Sequence, residues 1–380
     1  MAQQLQMTEL TDSVDVMATY NESVARNTIP NRLLRFLRTS GLYYTAIFFK
    51  RIKRRGFLCL CKDIINVWLT AIGIFSDHLI SRPVYAQIEP TSRCNLRCRM
   101  CIINTPGHET HDMRLSDFKH IISKLPRLLF LNIQGNGEPL LNKDLFSMID
   151  YARQHGIATV TCTNATLLDE HTIKRLLLSG LFELGISIES ADKDMYEYIR
   201  RGAKFEQVVS NIKKLLVFRD TINPELIIKF WITLINHTAD EVERCIDFAA
   251  RLGMDGIVFQ QVQTKEDYTK NYSSHFSGSP QLKKNYTAKT FKSRYGRYAR
   301  RQGISVRFIE RCFWPWAGMY ITAGGHVTPC CIISDYKSYS SGNLLLDDMD
   351  KVWNTPLYKT LRNTLRKKRK PACCNLCSFR

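Results

Sequence analysis

Apolar and polar positions from Val84 onward alternate in a regular rhythm of strands and helices. Six short apolar segments predict strands, at residues 84–88, 129–134, 159–163, 184–188, 227–234 and 256–262. Helical periodicity between them predicts five helices, at residues 117–125, 143–155, 169–179, 205–218 and 239–252. Repeated strand–helix units with right-handed crossovers build a parallel sheet. The pattern therefore predicts an α/β fold, a partial (β/α)6 TIM-like barrel, whose chemistry lies at the carboxyl ends of its strands.

The segments on either side of this region have different patterns, and we divide the chain into residues 1–83, 84–265, 266–304 and 305–380. The first combines a polar arm with basic amphipathic helices between Pro30 and Ile80. We favour a helical layer on the main domain, with peripheral docking on an anionic membrane as the alternative. Residues 266–304 are basic and poor in apolar periodicity, which predicts a linker or a substrate-facing insertion. The last predicts a small hairpin-plus-helix domain, with its turn at Gly324-Gly325 and its helix near residues 349–366.

Composition and charge narrow the class of protein. The chain has 380 residues, 44 % hydrophobic and 23 % charged, which is enough for two or three domains with buried cores. No apolar run approaches the roughly 18 residues of a membrane span, and the first thirty residues lack a signal-peptide core, so we expect a cytoplasmic protein. The net charge of +19 is concentrated in three acid-free segments, 32–55, 283–307 and 359–370. No nucleic-acid-binding motif accompanies them, so we expect no nucleic-acid partner.

Nine of the thirteen cysteines fall into two groups, and the first group follows the first predicted strand. Cys94, Cys98 and Cys101 are spaced by four and three residues. Thiolates are the ligands of iron–sulfur clusters, and three of them leave one iron of a cube open to a molecule that is not protein. A structural zinc site would need a fourth ligand, and a disulfide framework belongs to oxidising compartments. The loop therefore predicts an iron–sulfur cluster.

This Cys-x3-Cys-x2-Cys loop resembles the signature of the radical S-adenosyl-L-methionine (SAM) superfamily, and the resemblance covers roughly residues 84–265. It implies that Cys94, Cys98 and Cys101 hold a [4Fe–4S] cluster whose open iron binds the amino and carboxylate groups of SAM. Electron transfer would then release a 5′-deoxyadenosyl radical. Many members have an aromatic residue before the third cysteine, near the adenine. Met100 stands there in this chain and can pack in the same place through its thioether.

Further resemblances follow the later strands. Residues 135–139, Gly-Asn-Gly-Glu-Pro, are similar to the family's Gly-Gly-Glu-Pro motif at the SAM amino group, with Asn136 in place of the second glycine. Residues 163–165 resemble its Thr-Asn-Gly turn. At the end of the fourth strand, the resemblance implies that Ser187 and Glu189 bind the ribose hydroxyls of SAM. The alternative is that these two residues only end the strand. An arginine is implied at the SAM carboxylate, where we choose residue 200 over 201. The implied SAM-binding set is Met100, Gly135, Gly137, Glu138, Pro139, Asn164, Ser187, Glu189 and Arg200.

The second group of cysteines lies in the tail. Seventeen residues separate Cys312 from Cys330, forty-three separate Cys330 from Cys374, and two separate Cys374 from Cys377. This pattern resembles the twitch domain, the short form of the SPASM domain, and implies one auxiliary [4Fe–4S] cluster on these four thiolates. Cys331 and Cys373 are adjacent alternatives. Zinc on four thiolates is the structural alternative.

Together these resemblances imply a radical SAM enzyme of the oxidoreductase type that abstracts hydrogen from a substrate C–H bond. The auxiliary cluster would accept the substrate's electron or bind the substrate, giving dehydrogenation or oxidative cross-linking. The expected partners are a reductant such as flavodoxin or ferredoxin and a small-molecule, carbohydrate or peptide substrate. A peptide-maturing enzyme is one alternative, although residues 1–83 lack the strands of a winged recognition module. A non-catalytic iron–sulfur protein is the other, and the SAM-binding motifs argue against it.

Overall fold

The computed structural model describes residues 54–76, 78–104, 109–234, 239–261, 288–309, 312–333, 335–374 and 377. These residues form one sheet in the order β7-β6-β5-β4-β3-β2-β1-β8-β9. Neighbouring strands are parallel, except that β9 runs antiparallel to β8. The strands are β1 Tyr85–Ile88, β2 Phe130–Ile133, β3 Ala158–Thr163, β4 Glu183–Ser187, β5 Ile227–Leu234, β6 Gly256–Gln261, β7 Ser305–Phe308, β8 Gly318–Ile321 and β9 Val327–Thr328.

Helices connect the strands and bury an apolar stripe against the sheet. Several begin at an aspartate whose carboxylate caps the first turn: Asp169 accepts from Thr172 N at 2.7 Å, and Asp192 accepts from Met195 N at 2.9 Å. The described α-helices are α1 Phe57–Gly73, α2 Leu115–Ser123, α3 Leu145–Gln154, α4 Glu170–Leu178, α5 Lys193–Ile199, α6 Phe205–Ile222, α7 Ala239–Leu252, α8 Ala288–Arg301, α9 Trp314–Ala317, α10 Tyr336–Tyr339, α11 Met349–Trp353 and α12 Pro356–Arg366.

The predicted α/β class and the parallel, partial TIM-like barrel are confirmed, and all six predicted strands are present. The hairpin is also present, with Gly325 at φ 83° in its turn. The tail is more closely joined to the barrel than we expected. Strand β7 pairs with β6, and β8 pairs in parallel with β1, with Tyr85 opposite Gly318 and Ile88 opposite Ile321. The hairpin therefore extends the barrel sheet at its β1 edge.

Two segments differ from the sequence predictions. The part of the predicted linker that the structure describes contains α8, which buries Phe291, Tyr295 and Ala299, while residues 266–287 lie outside the described residues. These apolar positions recur every fourth residue among lysines and arginines, so the apolar stripe is narrow and easily missed. The predicted tail helix is divided into α11 and α12. Pro356 starts α12 and Thr355 caps it, because proline fits the first turn of a helix but not its interior.

Candidate active site

The predicted cluster loop begins six residues beyond the end of β1 and is held against the end of α5. Arg97 N donates to Arg201 O at 3.0 Å, and Arg99 N donates to Ile199 O at 2.9 Å. Of the three thiols, Cys98 is buried, while Cys94 and Cys101 are half-buried. Burial raises the pKa of all three, that of Cys98 to about 12. Iron binds the thiolate, so loading this site must release protons.

One cavity of about 930 Å³ gathers the predicted site residues. Its wall includes all three cysteines of the loop together with Met100, Gly135, Gly137, Glu138, Asn164, Ser187, Glu189 and Arg200. Pro139 is the member of the implied SAM-binding set that does not line it; it begins the short 3-10 helix Pro139–Leu141. The cavity runs through the barrel, from Tyr85 and Phe130 at the amino ends of β1 and β2 to the carboxyl ends of the strands, where the fold was expected to place its chemistry.

The three thiols of the loop line one open cavity. Two thiolates on one tetrahedral zinc lie within about 4 Å of each other, because each Zn–S bond is about 2.3 Å long. Among the residues that the structure describes, no three His, Cys, Asp or Glu side chains could hold one ion in this way. A [4Fe–4S] cube separates its thiolates by placing each on a different corner iron. The three thiols around an open cavity therefore suit the cluster that the sequence implies.

Glycine is required where the Gly-Asn-Gly-Glu-Pro turn meets the cysteine loop. A Cβ on Gly137 would lie 2.3 Å from Thr91 O and 2.4 Å from Arg93 O. Glu138 N donates to Arg93 O at 2.8 Å across the same contact. Asn136, which replaces the motif's second glycine, is held because its N–H donates to Glu89 Oε1 at 2.8 Å. The turn therefore keeps its close approach to the cluster loop without a glycine at residue 136.

Glu138 joins the Gly-Asn-Gly-Glu-Pro turn to the turn after β3. Its buried carboxylate accepts from Thr163 Oγ1 at 2.6 Å, from Asn164 N at 2.8 Å and from Leu140 N at 3.3 Å. Burial raises its pKa, and the three hydrogen bonds oppose that shift. A carboxylate offers about four acceptor positions, so one position on Oε2 stays open toward a further donor. An ammonium group in the cavity would suit that position.

The turn after β3 is joined directly to the cluster loop. Asn164 Nδ2 donates to Asn95 Oδ1 at 2.9 Å, and Asn95 Nδ2 donates to Thr166 Oγ1 at 2.8 Å. Ala165 has φ 61°, a left-handed conformation that favours glycine. The family's Thr-Asn-Gly turn has glycine at this position. The turn in this chain has the backbone conformation that suits glycine, although the residue is alanine.

Arg200 and Glu189 form a buried ion pair instead of separate contacts. Arg200 Nε and Nη2 donate to the two oxygens of Glu189, the second at 2.8 Å. Although burial alone lowers the pKa of Arg200, Glu189 raises it well above its usual value, so the guanidinium stays charged. Both residues still line the cavity, whereas Arg201 is exposed. The implied contacts of Glu189 with ribose and of Arg200 with the SAM carboxylate stay predictions.

Sequence reasoning missed two residues of this region. Cys162, one of the four cysteines outside the two groups, lines the cavity with its Sγ 3.0 Å from Ser187 Oγ. Glu89 accepts from Asn136 N, from Tyr320 OH at 3.1 Å and from Ala323 N at 3.2 Å, so it connects the Gly-Glu-Pro turn to the hairpin. The sequence offered one indication of this role. Glu89 is a carboxylate directly after a buried strand, at the edge of the sheet that carries the cysteine loop.

The far side of the cavity is built from aromatic and polar side chains. Tyr85 packs edge-on against Trp314, with ring centroids 5.1 Å apart, and both line the wall. Three buried polar atoms on this wall have no hydrogen-bond partner, namely Asn132 Oδ1, Gln134 Oε1 and Trp231 Nε1. Buried polar atoms are normally satisfied, so these three leave hydrogen-bonding capacity open at the cavity wall.

The tail thiols gather next to this wall. Cys312, Cys330, Cys331, Cys373 and Cys374 pack in one cluster with Trp314 and Tyr320. Cys377 N donates to Cys374 O at 3.0 Å, which brings the fourth predicted ligand into the same turn. Burial raises the pKa of Cys312 to about 11 and that of Cys330 well above its usual value. Cys331, an alternative ligand in the sequence analysis, is the tail thiol that lines the cavity.

Two family models match the chain in this arrangement. The radical SAM superfamily model matches residues 88–249, and the SPASM model, an iron–sulfur cluster-binding domain, matches residues 312–378. The chain therefore contains a radical SAM domain followed by a C-terminal SPASM domain. The first domain implies a [4Fe–4S] cluster with SAM, and the second implies auxiliary iron–sulfur binding. The SPASM match begins at Cys312 and ends just beyond Cys377, so it encloses all four predicted auxiliary ligands.

Radical SAM relatives with different reactions resemble parts of the chain. Mycofactocin maturase MftC of Mycolicibacterium smegmatis is 24 % identical over 178 residues, 46 % of this chain and 43 % of that protein. The GTP 3′,8-cyclase of Peptoclostridium acidaminophilum is 31 % identical over 147 residues, 37 % of this chain and 45 % of the cyclase. The chain thus spans less than half the length of either. The tungsten-containing aldehyde ferredoxin oxidoreductase cofactor-modifying protein of Pyrococcus furiosus is 23 % identical over 323 residues, 78 % of this chain and 87 % of that protein.

Among solved structures, the fold is similar to that of Streptococcus suis SuiB bound to its precursor peptide SuiA. The TM-score is 0.61 at 16 % identity, and the match covers 84 % of this chain and 75 % of SuiB. At this identity the likeness concerns the fold alone.

Proposed function

We propose that this radical SAM protein catalyses a two-electron oxidation, a dehydrogenation or a cross-link, of a peptide substrate in the cytoplasm. When bound, the cluster and SAM supply the radical that removes a hydrogen atom from the substrate, and the auxiliary cluster supplies an acceptor for the second electron. The balance is one C–H bond broken, 5′-deoxyadenosine formed, and one proton and one electron lost from the substrate radical. The observation that carries the proposal is a single cavity whose wall joins the three loop thiols to Cys331 of the SPASM domain.

The polar groups on the cavity wall support a peptide as the substrate class. Asn132 Oδ1 and Gln134 Oε1 are unpaired acceptors, and Trp231 Nε1 is an unpaired donor. A peptide backbone offers both N–H and C=O groups, so it would satisfy all three at once. Two of the similar proteins support this choice, since MftC is named a maturase and SuiB was solved with a precursor peptide.

Aromatic side chains separate the substrate position from solvent on the tail side. Phe313 and Trp314 stack with ring centroids 5.8 Å apart, and Tyr85 packs on both. Burial raises the pKa of Tyr85 above its usual value, so its phenol stays neutral beside the substrate. A rigid, uncharged wall of this kind limits side reactions of a reactive intermediate with water.

Electrons would enter from the opposite, outer side of the cluster loop. Arg97, Arg99 and Arg201 are exposed around a recess there, and Arg99 stacks on Tyr198 with its guanidinium 4.1 Å from the ring centroid. We expect an acidic one-electron donor such as flavodoxin or ferredoxin to use this basic edge. Arg99→Glu should then slow SAM cleavage with reduced flavodoxin and leave the rate with dithionite unchanged.

The deciding experiment is anaerobic incubation of the cluster-loaded chain with dithionite and SAM. Formation of 5′-deoxyadenosine would support the enzyme, and its absence from fully loaded protein would favour the non-catalytic iron–sulfur protein. Candidate precursor peptides encoded near the gene, deuterated at successive residues, then test the substrate class. Deuterium in 5′-deoxyadenosine identifies both the peptide and the carbon that reacts. Deuterium transfer from a carbohydrate or small molecule, with none from any peptide, would overturn the choice of substrate.

A further inference from the structure

Helix α1 is attached to the barrel through its polar side. Its buried positions are Leu60, Asp63, Asn66, Thr70 and Gly73, which recur every three or four residues and so share one face. Asp63 pairs with Arg127 at 3.2 Å, and its side chain is fully buried. Asn66 donates to Arg82 O at 2.9 Å and accepts from Arg82 N at 2.7 Å. These contacts hold the helix in one rotational orientation.

The opposite, outward side of α1 is apolar. The exposed fraction is 67 % for Trp68 and 64 % for Ile72, and exposed apolar residues at both ends of the helix add to the same surface. A contiguous apolar surface of this kind marks an interaction site, and the polar contacts prevent the helix from turning it inward. We call this surface the α1 apolar face; its members are Phe57, Leu58, Ile65, Trp68, Ile72 and Phe75.

Basic residues lie at both ends of the α1 apolar face. Arg54 and Arg55 lie just before Gly56, which precedes the helix, and their guanidinium groups donate to Arg153 O and Pro126 O of the barrel. At the other end, Arg366 of α12 donates to Phe75 O, and residues 366–370 are five consecutive, exposed lysines and arginines. The one acidic residue within α1, Asp63, is buried in its ion pair. The face therefore combines exposed apolar side chains with a positive rim.

We propose that α1 docks this protein on an anionic membrane. The helix would lie in the plane of the interface, with Trp68 and its apolar neighbours inserted and the basic rim on the lipid headgroups. Its 17 residues extend for roughly 25 Å, and no described helix is long and apolar enough to cross a membrane, so the attachment is peripheral. This proposal goes beyond the chemistry of the cavity and does not depend on it.

The charge pattern favours lipid over the other occupants. In a two-fold dimer through the α1 apolar face, the basic end of one copy would approach the basic end of the other. Residues 32–53 carry six basic residues and no acid, so covering the face with them would likewise bring like charges together. An anionic bilayer instead neutralises both ends and accepts the apolar side chains.

The test is co-sedimentation of the full chain with phosphatidylcholine vesicles, with or without phosphatidylserine. We expect binding to the anionic vesicles that weakens with salt. Trp68→Glu/Ile72→Glu should weaken it roughly tenfold or more, since two inserted side chains become acidic. Lys367→Glu/Lys368→Glu should weaken it by a similar factor, and only on anionic vesicles. Leu346→Glu is the matched control, because Leu346 is 84 % exposed and lies outside α1.

Two further readouts keep the outcomes distinct. Unchanged 5′-deoxyadenosine formation with dithionite in Trp68→Glu/Ile72→Glu would show that the variant is folded and that the cavity chemistry is separate from docking. No binding to anionic vesicles at low salt, or equal loss in the Leu346→Glu control, would overturn the proposal. A wild-type dimer that Trp68→Glu/Ile72→Glu converts to a monomer, without vesicle binding, would instead identify the face as a contact between copies.

Discussion

Replacing Gly137 with alanine tests whether the close contact between the Gly-Glu-Pro turn and the cluster loop organises the site. The new Cβ would lie 2.3 Å from Thr91 O and 2.4 Å from Arg93 O, about 1 Å inside the usual C···O contact. Both obstacles are backbone atoms, so no side chain can rotate away. Gly137 does not have a positive φ, and the backbone conformation itself therefore tolerates alanine. The effect must come from the displaced contact.

The expected magnitude follows from this geometry. Overpacking of a close contact costs about 1–3 kcal/mol. Loss of the hydrogen bond from Glu138 N to Arg93 O, 2.8 Å long, adds about 1 kcal/mol. For a domain the size of this barrel, the total of about 2–4 kcal/mol lowers Tm by roughly 4–16 °C. A 1 Å displacement of Glu138 in the cavity would slow SAM cleavage by about a hundredfold.

The assay is thermal unfolding followed by circular dichroism, together with anaerobic measurement of 5′-deoxyadenosine. Gly324→Ala is the matched control, because its new Cβ would have His326 Cδ2 as its nearest neighbour at 3.7 Å, an ordinary contact. We expect that variant to keep both the wild-type Tm and the wild-type rate. Wild-type Tm and SAM cleavage in Gly137→Ala would refute the role that we assign to this contact.

The remaining predictions concern the two thiol sets and the substrate wall. Alanine at Cys94, Cys98 or Cys101 should abolish SAM cleavage and leave the tail iron in place, about half of the total of eight irons. The double variant Cys374→Ala/Cys377→Ala should also lose about half of the iron, yet it should keep forming 5′-deoxyadenosine without product, because the electron acceptor is gone. Trp231→Phe, which removes the unpaired Nε1 donor, should raise KM for a peptide by about tenfold and leave uncoupled SAM cleavage unchanged.

Each of these predictions has a control or a contrary result. Cys61→Ala on α1 should match wild type in iron content and turnover, since Cys61 lies outside both thiol sets. SAM cleavage near the wild-type rate in any variant of the cluster loop would remove the cluster assignment. Unchanged product in the tail double variant, with four irons lost, would show that the auxiliary centre has no catalytic part. An unchanged KM in Trp231→Phe would place the peptide elsewhere on the wall.

Local patterns in the sequence were sufficient for the α/β class and for much of the cavity wall. The bounds of β5 and α7 agree with the predicted ones because apolar periodicity within one segment is a local property. The spacing of Cys94, Cys98 and Cys101 is also local, since one loop must bring all three thiols to one cluster. The motifs that follow later strands reach the same cavity because the carboxyl ends of parallel strands meet at one edge of the sheet.

Only the tertiary structure determined which distant segments pair and which of their side chains are in contact. The pairing of β8 with β1, the bonds of Glu89 to both the turn and the hairpin, and the fork of Arg200 on Glu189 join residues that no local pattern relates. Helix α1 shows the reason most clearly. Its apolar stripe alone predicts the inward face, yet Asp63 and Asn66 find specific partners in Arg127 and Arg82 and turn that stripe outward. Burying those polar groups unpaired would cost more than leaving the apolar side chains exposed, and their partners exist only in the folded chain.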